Sequence, residues 1–195
     1  MGSKRNIIGG RDGWMRIRVE PRGDIVTVPE HLQVELSESK GGRDFFTVLE
    51  GIHRGKRCSL TAGNLSPGAI PLRPAAHLVF DKSDAMLTCG PVRIRAQMDP
   101  SNQIPNGKHP IQLPDFPHDK GIKYMDESRF AKSWFFLGHG SAVSGDTGGD
   151  RYLHPGMISG GCVTIDALDW TALYEQIIRC RSNDGKTVGS LTVRK

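Results

Sequence analysis

The sequence predicts a mostly β protein, and three observations carry that expectation. Glycine and proline account for 24 and 12 of the 195 residues, a density of turn formers that suits many short strands rather than long helices. Segments with the apolar–polar alternation of half-buried strands recur through the first half of the chain. Only one stretch, near the C-terminus, has clear helical spacing. Apolar residues at 37% and charged residues at 24% supply a core and lie away from disordered compositions.

Taken in order, residues 14–19 (Trp-Met-Arg-Ile-Arg-Val) and 24–28 alternate with the period of a strand, and 45–49, 77–80 and 92–95 repeat the pattern. Gly41-Gly42, Ser66-Pro67-Gly68 and Gly90-Pro91 supply the turns between them. Residues 101–123 carry Pro105, Pro110, Pro114 and Pro117, which excludes a helix because each proline lacks a donor and constrains its predecessor. Residues 133–137 (Ser-Trp-Phe-Phe-Leu) form a strand expected to be buried on both faces. That strand runs into Gly138-His139-Gly140, and a loop of about twenty residues follows, of a length that is usually functional. Cys162-Val163-Thr164-Ile165 reads as the next strand. Asp166 then caps a helix, with Asp169 at its positive start and Leu168, Leu173, Ile177 and Ile178 as its apolar face; it is expected to end near 180–182. Asn183-Asp184-Gly185 turns the chain into a last strand over 187–193.

The chain carries 26 Lys and Arg against 21 Asp and Glu, a net charge of +5. This favours polyanionic partners such as nucleic acid, anionic lipid or an acidic wall polymer. The densest basic run (Arg5, Arg11, Arg16, Arg18, Arg22) has no nucleic-acid-binding motif around it, so nucleic acid is not the expected partner. No apolar stretch approaches the ~18 residues of a membrane span. The residues Met1-Gly2-Ser3-Lys4-Arg5 lack the apolar region of a secretory signal, which leaves the export route open.

None of the four cysteines stands in a C-x-x-C pair, which disfavours a zinc knuckle or a redox dithiol. Cys58, Cys89 and Cys180 read as small buried hydrophobes. Cys162 differs, because it follows Ser159-Gly160-Gly161. Glycines there allow close backbone approach and turn amides toward a developing oxyanion. A thiol attacks a carbonyl as its thiolate, and histidine is the suited base at neutral pH. His139, held by a rigid strand, is the preferred base; His154, eight residues before the cysteine, is the second candidate and is expected to orient the loop or meet the substrate. Ser159 is expected to anchor the loop, and Tyr152 stands near it as a core or rim aromatic. A zinc site made from His139, His154 and Cys162 is a minor rival, and no metal or other cofactor is expected.

His139-Gly140 at a strand end, followed by Ser159-x-Gly161-Cys162-Val163, resembles the signature of the L,D-transpeptidase (YkuD-like) catalytic domain. Upstream, the run from Ile104 through Pro105, Gly107 and His109 to Ile111 is similar to that family's Thr-Pro-x-Gly-x-aromatic-x-Ile segment. The match covers roughly residues 75–195, with 1–74 left as a β-rich N-terminal segment of unassigned role. Departures from the pattern are Gly160 where histidine is common, Ile104 in place of threonine, and a longer His139-to-Cys162 separation. The resemblance implies an L,D-transpeptidase-like β-sandwich or barrel with one or two short helices. It implies that Cys162 attacks the third residue of a peptidoglycan stem tetrapeptide, releases D-alanine and passes the acyl group to an amine. It also implies a catalytic set of Cys162, His139, His154, Ser159 and Gly161, with Gly160, Gly140 and Tyr152 near the substrate. Hydrolysis or exchange by a secreted antibacterial toxin, and a non-catalytic wall-binding module, are the alternatives. The partners are then peptidoglycan stem peptides, and the place of action is the cell envelope.

Overall fold

Strands dominate the computed structural model, which describes residues 2–139, 149–158 and 160–195. β1 (Ser3–Asn6), β2 (Trp14–Val19), β3 (Ile25–Pro29), β4 (Gln33–Lys40), β5 (Arg43–Val48) and β6 (Arg57–Thr61) form a six-stranded sheet in the order β1-β4-β5-β6-β2-β3. After β7 (Arg73–Pro74), a second sheet takes β8 (Ala76–Asp81), β9 (Met86–Cys89), β10 (Val92–Gln97), β11 (Gly107–Gln112), β12 (Phe135–His139), β13 (Asp150–Pro155), β14 (Val163–Ile165) and β16 (Thr187–Arg194). Its order is β11-β16-β8-β9-β10-β14-β13-β12. The edge strands β11 and β12 approach each other, so this sheet curls into a nearly closed barrel. A short ribbon pairs β7 with β15 (Cys180–Arg181). The helical elements are α1 (Ala167–Ile177) and 3₁₀ turns at Gly51–His53 and Asp119–Tyr124.

The expected strands over 14–19, 24–28, 45–49, 77–80, 92–95 and 187–193 all form, with bounds shifted by a few residues at most. Three expectations need correction. The proline-rich stretch 101–123, expected to exclude a helix, ends in the 3₁₀ turn Asp119–Tyr124, which begins after Pro117, the last of its prolines. The stretch between His139 and Cys162 is not all loop, because β13 occupies Asp150–Pro155. Residues 151–155 are all buried, so the strand is covered on both faces and leaves no alternating polar signature. The helix begins as expected, with the Asp166 carboxylate accepting from Leu168 N at 2.9 Å. It ends at Ile177, earlier than 180–182, because Cys180 and Arg181 are drawn into pairing with β7. Leu168 is 74% exposed, whereas Trp170, Leu173, Tyr174 and Ile177 are buried. That spacing, i, i+3, i+4, i+7, defines the buried stripe, and Leu168 lies off it.

One apolar cluster runs through both sheets and the helix, from Ile7, Phe46 and Leu60 to Phe80, Leu191, Trp170 and Tyr174. Polar contacts reinforce the junction. The Arg181 guanidinium donates to Glu50 Oε1 at 2.8 Å, to the carbonyls of Ile178 and Cys180 at 2.7 Å each, and to His31 O at 3.2 Å. Glu50 Oε2 in turn accepts from Gln33 N at 3.1 Å. Both side chains are only 5% exposed. Gly13 (φ +80°) lies so close to Phe130 that a Cβ would stand 2.8 Å from its ring.

Losing one member of a buried, fully bonded ion pair strands the other charge and costs about 3 to 5 kcal/mol. Arg181→Ala is therefore expected to lower unfolding stability in urea by about that amount. The double variant Glu50→Leu/Arg181→Met, which leaves no lone buried charge, is expected to lose clearly less. Equal losses in the two proteins would show that the cost is one of packing and not of charge.

Candidate functional site

Parallel neighbours normally need a crossover of a dozen residues or more. β13 and β14 pair in parallel across a link of only residues 156–162. The link succeeds because β14 is three residues long and the chain doubles back at glycines. Gly156 has φ +108° and packs on Tyr124, where a Cβ would fall 2.2 Å from the ring; Gly161 has φ +76°. The register Leu153↔Val163 and His154↔Thr164 brings Cys162 level with Tyr152. The Tyr152 amide donates to Cys162 Sγ at 3.4 Å. Strand alternation then sets Tyr152, His154, Cys162 and Thr164 on one face.

Cys162, Trp134 and Tyr152 form a small buried cluster with Phe136 against it, apart from the main core. His154 is 2% exposed, and its ring stacks on the Trp134 indole at 4.4 Å. Its Nδ1 lies 3.0 Å from Pro155 O, an acceptor, so Nδ1 carries the proton and Nε2 the lone pair. The Thr164 hydroxyl stands 3.4 Å from Nε2. Burial lowers the His154 pKa from 6.5 to about 4, against the opposing effect of the Pro155 bond. The imidazole is thus neutral at pH 7, with the Nε2 lone pair unprotonated.

His139 occupies a different place. It ends β12, and its Nδ1 lies 2.6 Å from Asp150 Oδ1, with the two side chains 80% and 50% exposed. Its ring meets the edge of Phe136 at 5.0 Å, and Phe136 meets Tyr152 at 5.4 Å. Two strand spacings, about 10 Å in all, separate β12 from β14. Those two rings fill the interval. The structure sets Cys162 against Tyr152, places His154 on the same sheet face stacked on Trp134, and leaves the His139–Asp150 pair at the rim.

The glycines have different surroundings from those expected. The Gly161 amide, expected to face an oxyanion, donates instead to Asn102 O at 2.7 Å. Gly160 is exposed beside the Asn102 side chain. Gly140 and Ser159 lie outside the described residues. Among the described residues no three His, Cys, Asp or Glu side chains converge as a metal site. Cys58, Cys89 and Cys180 are buried as expected. Burial pushes the first two thiols up to about 11 and raises the third, which keeps them protonated.

The sequence reading missed Asp115 and His118, which stand in the proline-rich stretch. His118 Nε2 lies 3.1 Å from Asp115 Oδ1, and the Tyr152 hydroxyl donates to Asp115 Oδ2 at 3.1 Å. The His118 ring stacks on Trp134 at 4.2 Å. Burial works against the Asp115 carboxylate, but the bonds from His118, the Phe116 amide and Tyr152 outweigh it and hold its pKa below the usual value. The same burial and the Asp115 charge raise the Tyr152 phenol, which stays protonated. The Asp115-Phe116-Pro117-His118 run after Pro114 is the signal that was present.

No model of a known protein family matches the chain, and no curated protein does. Among solved structures, it is similar to Mycobacterium tuberculosis L,D-transpeptidase 1, with a TM-score of 0.36 and 14% identity, over 92% of this chain and 82% of that one.

A histidine whose folded pKa lies below its unfolded value takes up its proton more readily in the unfolded chain, so stability falls as pH drops between the two values. For His154 that window runs from 6.5 to about 4. His31, also lowered to about 4 by burial and by Arg179, Arg181 and Arg129, acts in the same window. His154→Gln is expected to remove about 3 kcal/mol from the loss of stability between pH 7 and pH 4. Urea unfolding at the two pH values measures it, with the His31 share of the slope retained; an unchanged slope would contradict the neutral, buried imidazole.

Proposed function

We propose that this protein is a cysteine acyltransferase of the L,D-transpeptidase type, acting on peptidoglycan stem peptides in the cell envelope. Residues 75–195 carry the chemistry in this reading. The observation that supports it most is the shared face of Cys162 and His154 on neighbouring parallel strands, in a Ser159-x-Gly161-Cys162 context. With Nδ1 tied to Pro155 O, His154 offers Nε2 as the base. Nε2 takes the Sγ proton as sulfur attacks the carbonyl of the third stem residue. The tetrahedral intermediate collapses, and the departing D-alanine amine takes that proton from Nε2. A thioester to Cys162 remains. An amine of a second stem then attacks it, delivering a proton to Nε2, and the thiolate leaves and is reprotonated. The product is a 3→3 cross-link. Water as acceptor gives L,D-carboxypeptidase activity, and a free D-amino acid gives exchange.

A second assignment of the base rests on the 2.6 Å contact of His139 with Asp150, which orients an imidazole as a base requires. The rim position of that pair favours His154. Incubation with muropeptides followed by mass spectrometry tests both readings. Cys162→Ala is expected to abolish turnover, while Cys58→Ala, Cys89→Ala and Cys180→Ala retain it within a few-fold. His154→Gln is expected to lower kcat/KM by about 10²-fold or more, the scale of losing a general base, and His139→Ala by less. The reverse order would transfer the role to His139. Retained wall binding with unchanged muropeptide masses would establish a non-catalytic binder instead.

A further inference from the structure

Beside His154 the molecule opens into a cavity of about 500 Å³. Trp134, His154 and Tyr124 line it, one wall comes from the 3₁₀ turn Asp119–Tyr124, and Met157 and Ile158 of the link to Cys162 form the other. The walls are apolar yet open to water: Ile122 is 56% exposed and Met157 70%. Lys120 and Lys123 also line the cavity. A 3₁₀ turn has about three residues per turn, so side chains three apart eclipse and the two ammonium groups fall on the same side. Lys123 Nζ lies 3.6 Å from Met157 Sδ and 5.0 Å from the Tyr124 ring centroid. Neither lysine takes part in the ion pairs of the described residues. Asp119 offers one opposing charge at the start of the turn.

We propose that this cavity binds the acyl donor as an acidic peptide, with Lys120 and Lys123 meeting two of its carboxylates and the apolar walls covering its methylene stems. The assignment rests on the acyltransferase reading for the reaction, but the charge and shape of the cavity define the ligand class independently. A carboxylated peptide gains two charge-assisted contacts at cations that form no ion pair among the described residues. A neutral peptide of the same length gains only the apolar contact. Met157 and Ile158, which form one wall, stand a few residues before Cys162 in the sequence, and His154 lines the same cavity.

Binding is measured calorimetrically with the Cys162→Ala protein, so that turnover does not enter. The probes are a stem tetrapeptide with free side-chain and terminal carboxylates and the same peptide with those groups as carboxamides. Lys120→Glu/Lys123→Glu is expected to weaken the acidic peptide about tenfold or more while leaving the amidated peptide nearly unaffected. Lys120→Gln/Lys123→Gln is expected to fall between. Equal affinity of the two peptides for the parent protein, or unchanged affinity for the acidic peptide after charge reversal, overturns the proposal. Lysine-dependent binding in a protein that turns over no muropeptide would retain the proposed ligand class and reject the acyltransferase reading. Turnover without lysine dependence would do the opposite.

Discussion

The site depends on the parallel pairing of β13 with β14 across the link 156–162. A chain that leaves one strand and re-enters the sheet beside it in the same direction must travel back the whole strand length. It can do so in so few residues only where the returning strand is very short and the backbone can reverse sharply. Gly156 and Gly161 provide the reversals, and the φ of each is one that side-chain-bearing residues rarely adopt. The register that results sets Cys162 beside Tyr152 and His154 beside Thr164. The link itself becomes the wall of the neighbouring cavity. The settings of Cys162 and His154 and the cavity beside them are thus three consequences of one strand pairing.

Around that pairing the protein assembles an aromatic and acidic frame. Trp134 is stacked by both His118 and His154, and Tyr152 is tied through its hydroxyl to Asp115, which also holds His118. Desolvation alone would penalise each of these polar groups. The frame keeps the carboxylate ionised through several hydrogen bonds and keeps His154 neutral through burial. Rigid, satisfied neighbours of this kind fix rotamers in a way an exposed loop does not.

The N-terminal sheet shares in this rigidity. Arg181, just beyond the helix, reaches Glu50 and the His31 carbonyl, while the same stretch pairs with β7. The end of α1, the β3–β4 turn and the residues after β5 therefore converge on one guanidinium. The five donors of arginine in a fixed fork suit it to such a junction, and the shared apolar cluster closes around it.

The sequence by itself determined the mostly β class, about half of the strand positions, the capped start of the helix and the singular setting of Cys162. Each is written locally: turn residues, alternation with period two, an aspartate before an amphipathic run, a cysteine after two glycines. It did not reveal β13, because a strand buried on both faces has no alternation. Nor did it reveal that Leu168 lies off the buried stripe, since the face of a helix is chosen by what packs on it. The arrangement of the histidines was decided by tertiary structure alone. His139 and His154 both precede Cys162, and a linear reading prefers His139 for its place at the end of an apolar strand. Strand order places one of them on the strand next to the cysteine and the other two strands away, and the same folding draws in Asp115 and His118 from a segment that local signals describe only as not helical. Hydrogen-bonded register between distant segments is a property of the assembled sheet, and no local stretch of sequence encodes it.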